Sequence, residues 1–258
     1  MKIAVLLKEV PDTYGERILN LETGLADRAA SEAVLDEIGE RALEAALTYS
    51  DNNPGTEITV LTMGPESAQA TLRKGLSMGA TNAIHILDEN LAGADLSLTA
   101  QVLANAVRQG EYDVVLTGNL STDGNGGVLP ALIAEHLGLA HLTGLKDLTL
   151  DTTSASGTRT VDAGDMSLKA SLPAVVSITE ALPAGRFPSF KGLMAGKKKP
   201  LEVVTAADLG INVADESVGR SIVISIAQRP ARAAGTKIVD EGTAAEQLVE
   251  FLVANRLA

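Results

Sequence analysis

Val115-Leu-Thr-Gly-Asn-Leu-Ser-Thr-Asp-Gly-Asn-Gly-Gly-Val128 runs from an apolar, strand-like start through a glycine-rich loop into a segment of helical period, residues 129–137. At such a junction the free amides and the positive dipole end of the helix point where an anion would sit. Glycines 124, 126 and 127 let backbone approach a ligand closely, and Ser121, Thr122, Asp123 and Asn125 offer polar contacts to a ribose or phosphate. The stretch lacks the Lys-Ser/Thr of a P-loop and a full G-x-G-x-x-G. By itself it reads either as a nucleotide loop or as a capped turn without a ligand.

Outward from this loop the same grammar repeats. Short apolar runs at 3–7, 58–62, 83–87 and 114–117 read as parallel strands. Between them, residues 31–49, 66–78, 96–107 and 129–137 carry helical period; in the first of these Val34, Ile38, Ala42 and Ala46 share one face. Strand alternating with helix predicts an α/β fold with a doubly wound, mostly parallel sheet, whose ligands bind beyond the carboxyl ends of the strands. The Gly64-Pro65 pair after the second strand suits a helix start at that same edge. Lys8 follows the first strand and is either a third contributor to that crevice or a solvated charge.

After residue 140 the texture turns polar and alternating, with strands at 148–150, 158–161 and 166–170 and a buried-looking one at 173–178. This predicts an antiparallel excursion that returns to the main sheet. Residues 201–204 and 221–226 are further strand candidates, and an extended arm leads to the carboxyl terminus. There Thr243 and Glu246 have the spacing of a capping box for a last helix with Leu248, Phe251 and Leu252 on one side. That helix either covers its own domain or reaches a partner. The division expected is a nucleotide-binding domain over 1–228, including a loop at 178–200, and an arm over 229–258.

Composition narrows the function. The 258 residues carry a net charge of -12, only 2% are aromatic and none is Trp or Cys. An acidic surface with few stacking side chains opposes nucleic-acid binding. Without cysteine there is no disulfide, thiolate metal site or cysteine nucleophile, so redox work requires a borrowed cofactor. The apolar start is too short for a signal peptide and no run reaches the ~18 residues of a membrane span, so no stable membrane insertion is expected and the cytoplasm is the default location.

Two catalytic patterns fail on context. Gly75-Leu-Ser-Met-Gly79 matches G-x-S-x-G, but it ends a helix and precedes a strand, the reverse of a nucleophile elbow, so Gly79 reads as a helix stop. His85, His136 and His141 lack the spacing of a helical zinc pair. Asp36, Glu37, Glu40 and Glu44, interleaved with Arg41, read as a solvated helix face.

Arg186-Phe-Pro-Ser-Phe-Lys-Gly-Leu-Met-Ala-Gly-Lys-Lys-Lys-Pro200 holds two of the chain's three phenylalanines and a triple lysine. Pro188, Gly192 and Gly196 argue against a long buried helix or central strand. Phe187, Phe190, Leu193 and Met194 beside a basic rim have the composition of a protein contact, although a loop tucked back under the domain fits the residues equally.

Several of these motifs, in this order, resemble the beta (small) subunit of electron transfer flavoprotein, in the group called FixA-like. The likeness is carried by Ile3-Ala-Val-Leu-Leu-Lys-Glu-Val-Pro-Asp12, Leu35-Asp-Glu-Ile-Gly-Glu-Arg-Ala-Leu-Glu-Ala45, Val60-Leu-Thr-Met-Gly-Pro65 and Leu72-Arg-Lys-Gly-Leu-Ser-Met-Gly-Ala80. Further carriers are Ser121-Thr-Asp-Gly-Asn-Gly-Gly127, Leu172-Pro-Ala-Val-Val-Ser177, the Phe/Lys-rich segment and Ala233-Ala-Gly-Thr-Lys-Ile238. In the phosphate loop Asp123, Gly124 and Gly127 match the family pattern, whereas Asn125, Gly126 and Val128 depart from it.

The resemblance implies an adenine nucleotide alpha hydrolase-like fold and half of an electron carrier, with no reaction of its own. Its partner would be a larger alpha subunit holding most of the FAD site, with acyl-CoA or other flavin dehydrogenases as donors and a membrane quinone oxidoreductase or another acceptor downstream. It implies a structural AMP in the crevice, touched by Leu6, Met63, the loop Asp123, Gly124, Asn125, Gly126, Gly127 and Val128, and the backbone of Asp36, Glu37, Ile38 and Gly39. Lys8, Gly64 and Thr117 join this set from the strand ends, and Tyr14 is either near the flavin edge, as the resemblance implies, or at a surface turn. Arg186, Phe187, Phe190, Leu193 and Met194 become the grip on the dehydrogenase. Two alternatives are a bifurcating subunit with a second FAD at the AMP site, and a free-standing universal-stress-type nucleotide sensor.

Overall fold

The computed structural model describes residues 1–215, 221–232 and 234–257. It contains two compact units, Met1–Ile224 and Ser225–Ala258. The first opens with β1 (Lys2–Leu6), an antiparallel pair β2 (Glu9–Pro11) and β3 (Ala33–Leu35), and helix α1 (Glu37–Asn52). Next come β4 (Glu57–Met63), α2 (Gln69–Met78), β5 (Asn82–Ile86), α3 (Leu96–Gly110), β6 (Val114–Gly118) and α4 (Leu129–Leu137). Then follow β7 (Ala140–Leu145), β8 (Thr149–Leu150), β9 (Ser154–Val161), β10 (Gly164–Ser171), β11 (Ala174–Ile178), α5 (Phe190–Gly196) and β12 (Leu201–Val204). The second unit holds α6 (Ala244–Ala254).

Seven strands in the order β12-β5-β4-β1-β6-β11-β7 make the main sheet, and each pairing in it is parallel. Side chains alternate across it. Ile3, Val5 and Leu7 enter one core with Ile38, Leu43 and Leu47 of α1 and Leu72 and Leu76 of α2. Ala4 and Leu6 enter the other with Leu98, Val102 and Leu103 of α3 and Ile133 of α4. Helices on both faces bury β1 twice over, which is why it reads as an unbroken apolar run. The fold is thus the α/β, doubly wound architecture expected. The chain winds from β1 through β4 to β5 and then crosses back to β6 on the far side of β1, so the crevice opens between the carboxyl ends of β1 and β6.

The antiparallel excursion is the sheet β10-β9-β8, and β11 returns from it to lie between β6 and β7. Four local expectations are corrected. The helix expected from residue 31 starts at Glu37, because residues 33–35 pair with β2 and Asp36 caps the helix in an extended conformation, accepting from the Ile38 N–H at 3.1 Å. Val34 therefore lies opposite Val10, away from the face of α1. Residues 140–145, read as the start of a polar, alternating stretch with no strand assigned to them, form β7; as the sheet's edge strand it leaves Ala140 and His141 exposed and needs no apolar run.

Residues 221–226 form no strand, Ile222 and Ile224 are exposed, and among the described residues no strand pairs with them. The capping box does not close: the Thr243 hydroxyl accepts from Gln247 Nε2 at 3.0 Å and caps no N–H. No residue of α6 is buried. Ala233, the first residue of one motif quoted above, lies outside the described residues. Among the described residues no helix is long and apolar enough to cross a membrane.

Candidate functional site

The crevice is bridged by charge. Lys8, directly after β1, donates from Nζ to Asp123 Oδ1 at 2.6 Å and to Ser121 Oγ at 3.2 Å. Lys8 thus turns toward the loop while its side chain stays 42% exposed. Arg28 returns from the long connection between β2 and β3, placing Nη2 3.6 Å from Asp123 Oδ2 while Nη1 donates to the Glu9 carbonyl at 3.2 Å. Burial pushes the Asp123 carboxyl up, but the Lys8 and Ser121 hydrogen bonds outweigh it, and the group ends below its ordinary value. Arg28 is a site residue that sequence reading missed. It stands far from any motif, and only the β2–β3 pairing brings it back.

Asp36 closes the other side. Its Oδ1 caps α1, and its Oδ2 accepts from the Thr122 N–H at 2.8 Å and the Thr122 hydroxyl at 3.2 Å. Ile38 and Gly39 are buried beneath this junction and Glu37 is exposed. The close seat of α1 depends on Gly118 at the end of β6: a Cβ there would stand 2.7 Å from Ile38 Cγ2.

The remaining predicted nucleotide contacts fall along the same edge. Leu6 and Thr117 are buried at the ends of β1 and β6, and the Thr117 hydroxyl donates to the Gly118 carbonyl at 3.0 Å. Met63 and Gly64 are half-buried at the end of β4, where the Gly64 carbonyl is 3.0 Å from Nε2 of the fully buried His85. Asn125 and Gly127 adopt positive φ, 50° and 66°, which turns the exposed loop toward α4. No described group accepts from the N–H of Gly126, Gly127 or Val128, and α4 has no side-chain cap.

Lys8 and Arg28 at the Asp123 carboxylate, on a loop that carries open amides into a helix start, form a set that suits an anion. Tyr14 does not join it; its side chain is 98% exposed. A separate hollow lined by Asp88, Asn90, Ala206 and Ile211, beyond β5 and β12, contains none of these residues.

The Phe/Lys-rich segment is a short helix, α5, capped by Ser189, whose Oγ accepts from the Gly192 N–H at 3.1 Å. Phe187 is 95% and Phe190 81% exposed, and Leu193 and Met194 are exposed with them, so the tucked-under reading is set aside. Arg186 does not belong to this surface. Its Nε donates to Glu44 Oε2 at 2.8 Å and its Nη2 to Glu44 Oε1 at 2.8 Å and Asp51 Oδ2 at 2.9 Å. The acidic face of α1 is accordingly not merely solvated. Glu44 holds Arg186, Glu40 pairs with Lys74, and Arg41 donates to the Leu182 carbonyl. The triple lysine also divides: Lys197 and Lys198 are exposed, while Lys199 is half-buried and turned inward.

Residues 23–209 match the model of the electron transfer flavoprotein domain. The chain is 46% identical to the electron transfer flavoprotein subunit beta of Mycobacterium leprae, over 99% of this chain and 98% of that one. It is 44% identical to the Mycobacterium bovis subunit beta over the same shares, and 33% identical to that of Bacillus subtilis over 83% of each chain. Near-complete coverage by beta subunits, on a doubly wound sheet with a charged crevice at its switch point, places the chain in the electron transfer flavoprotein family, among its beta subunits.

Proposed function

We propose that this chain holds an AMP in the β1/β6 crevice and pairs with an alpha subunit that carries most of the FAD site. The observation that carries the nucleotide reading is that Lys8 and Arg28 both reach Asp123, in the same loop whose Gly126, Gly127 and Val128 N–H groups meet no described acceptor. A phosphate there would meet main-chain donors that tolerate the departures at Asn125, Gly126 and Val128, because backbone contacts do not depend on side-chain identity. Lys8 and Arg28 would share their charge between the phosphate and Asp123. Asp36 would hold the loop in place through Thr122.

In this reading the chain breaks and makes no covalent bond. FAD, when bound, supplies the one- and two-electron chemistry, and this subunit supplies a fixed scaffold and a docking surface. The exposed set Phe187, Phe190, Leu193 and Met194 would contact acyl-CoA or other flavin dehydrogenases. Burying one phenylalanine contributes about 1.5–3 kcal/mol, which suits a contact that forms and releases quickly. Electrons would pass on to a membrane quinone oxidoreductase or another acceptor, and the complex works without membrane insertion.

Co-expression with the alpha subunit tests the whole reading. The expected product is a yellow heterodimer that releases one FAD and one AMP on denaturation. A colourless chain that ignores the alpha subunit overturns it, and two FADs per heterodimer replace AMP with a second flavin at the crevice.

A further inference from the structure

The basic residues around α5 build a mount for it. Lys199 Nζ donates to three carbonyls at the end of α2: Leu76 at 3.1 Å, Gly79 at 3.2 Å and Ala80 at 2.6 Å. The Leu76 and Gly79 carbonyls are acceptors a helix end leaves without partners, Ala80 follows in the turn to β5, and a cation there also opposes the negative end of the dipole. The reverse contact comes from α2, whose Arg73 Nη1 donates to the Gly196 carbonyl at 3.0 Å and to the Lys199 carbonyl at 2.9 Å. The two residues thus cross-brace the end of α5 onto the end of α2.

Between them the helices touch through backbone. A Cβ on Gly192 would stand 2.5 Å from the Ser77 carbonyl oxygen, and one on Gly196 2.4 Å from Ser77 Oγ and 2.8 Å from Ser77 N. Residues four apart share one helix face, so Gly192 and Gly196 form a bare stripe pressed on Ser77. With that stripe against α2, Phe190, Leu193 and Met194 are left exposed. The G-x-S-x-G pattern that fails as a nucleophile elbow is the floor of this seat.

From this geometry we infer that Lys199, Gly192 and Gly196 are positioning residues for dehydrogenase docking: they fix the direction in which α5 presents Phe190. The inference rests on the docking reading of α5. A helix of seven residues is too short to hold its conformation alone, so its orientation depends on this mount. Lys199 differs in role from Lys197 and Lys198, which face solvent.

The test uses the intact heterodimer as substrate for an acyl-CoA dehydrogenase that reduces the unmodified form. Lys199→Met and Gly196→Ala are expected to raise KM for the heterodimer about tenfold with kcat little changed, the mark of lost binding rather than lost chemistry. Amide exchange over residues 187–195 should quicken, while FAD content and reduction of the flavin by dithionite stay as they were. Lys199→Arg, which keeps a cation at the α2 terminus, should restore most of the KM. Phe190→Ala separates the two readings. If it raises KM but Lys199→Met leaves KM and exchange unchanged, the positioning role is wrong and the docking surface stands. If Phe190→Ala leaves KM unchanged, the docking reading falls and takes this inference with it. Should Gly196→Ala not fold, Lys199→Met still decides.

Discussion

Asp36 and Thr122 are joined through one carboxylate oxygen, Asp36 Oδ2, which accepts the Thr122 N–H at 2.8 Å and its hydroxyl at 3.2 Å. The other oxygen of the same buried carboxylate caps α1. One side chain therefore fixes both walls of the crevice, and its loss removes a helix cap and unpairs the loop together. Asp36→Ala is expected to destabilise the protein by about 2–4 kcal/mol, the sum of a cap and charged hydrogen bonds. Urea unfolding followed by circular dichroism measures this; a loss confined to a few tenths of a kcal/mol would mean that the bridge is dispensable.

Lys8 offers a second measurement. If it only neutralises Asp123, Lys8→Met lowers the melting temperature by a few degrees, as expected of about 1 kcal/mol in a chain of this size, and changes nothing else. If it also faces a bound phosphate, the variant releases AMP about tenfold more readily, a difference of about 1.4 kcal/mol, while FAD content is retained. Mass analysis of nucleotides remaining after dialysis separates the two outcomes, and the second is the one expected.

Much of this crevice was legible because it follows from strand order. The runs at β1, β4 and β6 are apolar on both faces, and a doubly wound sheet brings their ends to one edge, so Lys8, Gly64 and the 118–128 loop could be placed together without coordinates. Arg28 could not, because the connection before β3 has no periodic signal and only the β2–β3 pairing returns it to the crevice. Nor could Asp36 be recognised as a bridge. In sequence it looks like one more acidic residue on a helix face, and what sets it apart is its extended ψ of 125° and the nearness of Thr122. The mount of α5 was hidden for a similar reason: Gly192 and Gly196 argue against a long helix, and only Ser77 beneath them shows why a short one forms.

Gly118 makes the closeness of α1 testable. Its Cβ would stand 2.7 Å from Ile38 Cγ2 and 3.2 Å from Ile38 Cβ, and Ile38 is buried, so the strain cannot be relieved by turning a free side chain outward. Gly118→Ala is expected to cost about 1–3 kcal/mol, as overpacking does in a filled core. Combined with Ile38→Ala the loss should be less than the sum of the two single losses, because alanine lacks the Cγ2 methyl that the new Cβ meets. Additive losses in the double variant would place the strain elsewhere.

The Arg186–Glu44 clasp predicts a specific response to acid. Burial pushes the Glu44 carboxyl up, but the side-chain and main-chain bonds from Arg186 outweigh it, leaving the group below its ordinary value of 4.5. A carboxyl depressed by folding contributes stability that is fully present above pH 4.5 and is lost as pH falls through its folded value. Wild type should therefore exceed Glu44→Gln by about 1–2 kcal/mol at pH 7, a modest figure because Arg186 retains 34% side-chain exposure. That gap should narrow as pH drops below 4.5, when protonated Glu44 comes to resemble glutamine. Denaturant midpoints for both proteins between pH 7 and 3 test this directly. A gap that stays constant down to pH 3 would show that the ion pair does not hold Arg186, and with it the base of the docking segment, against α1.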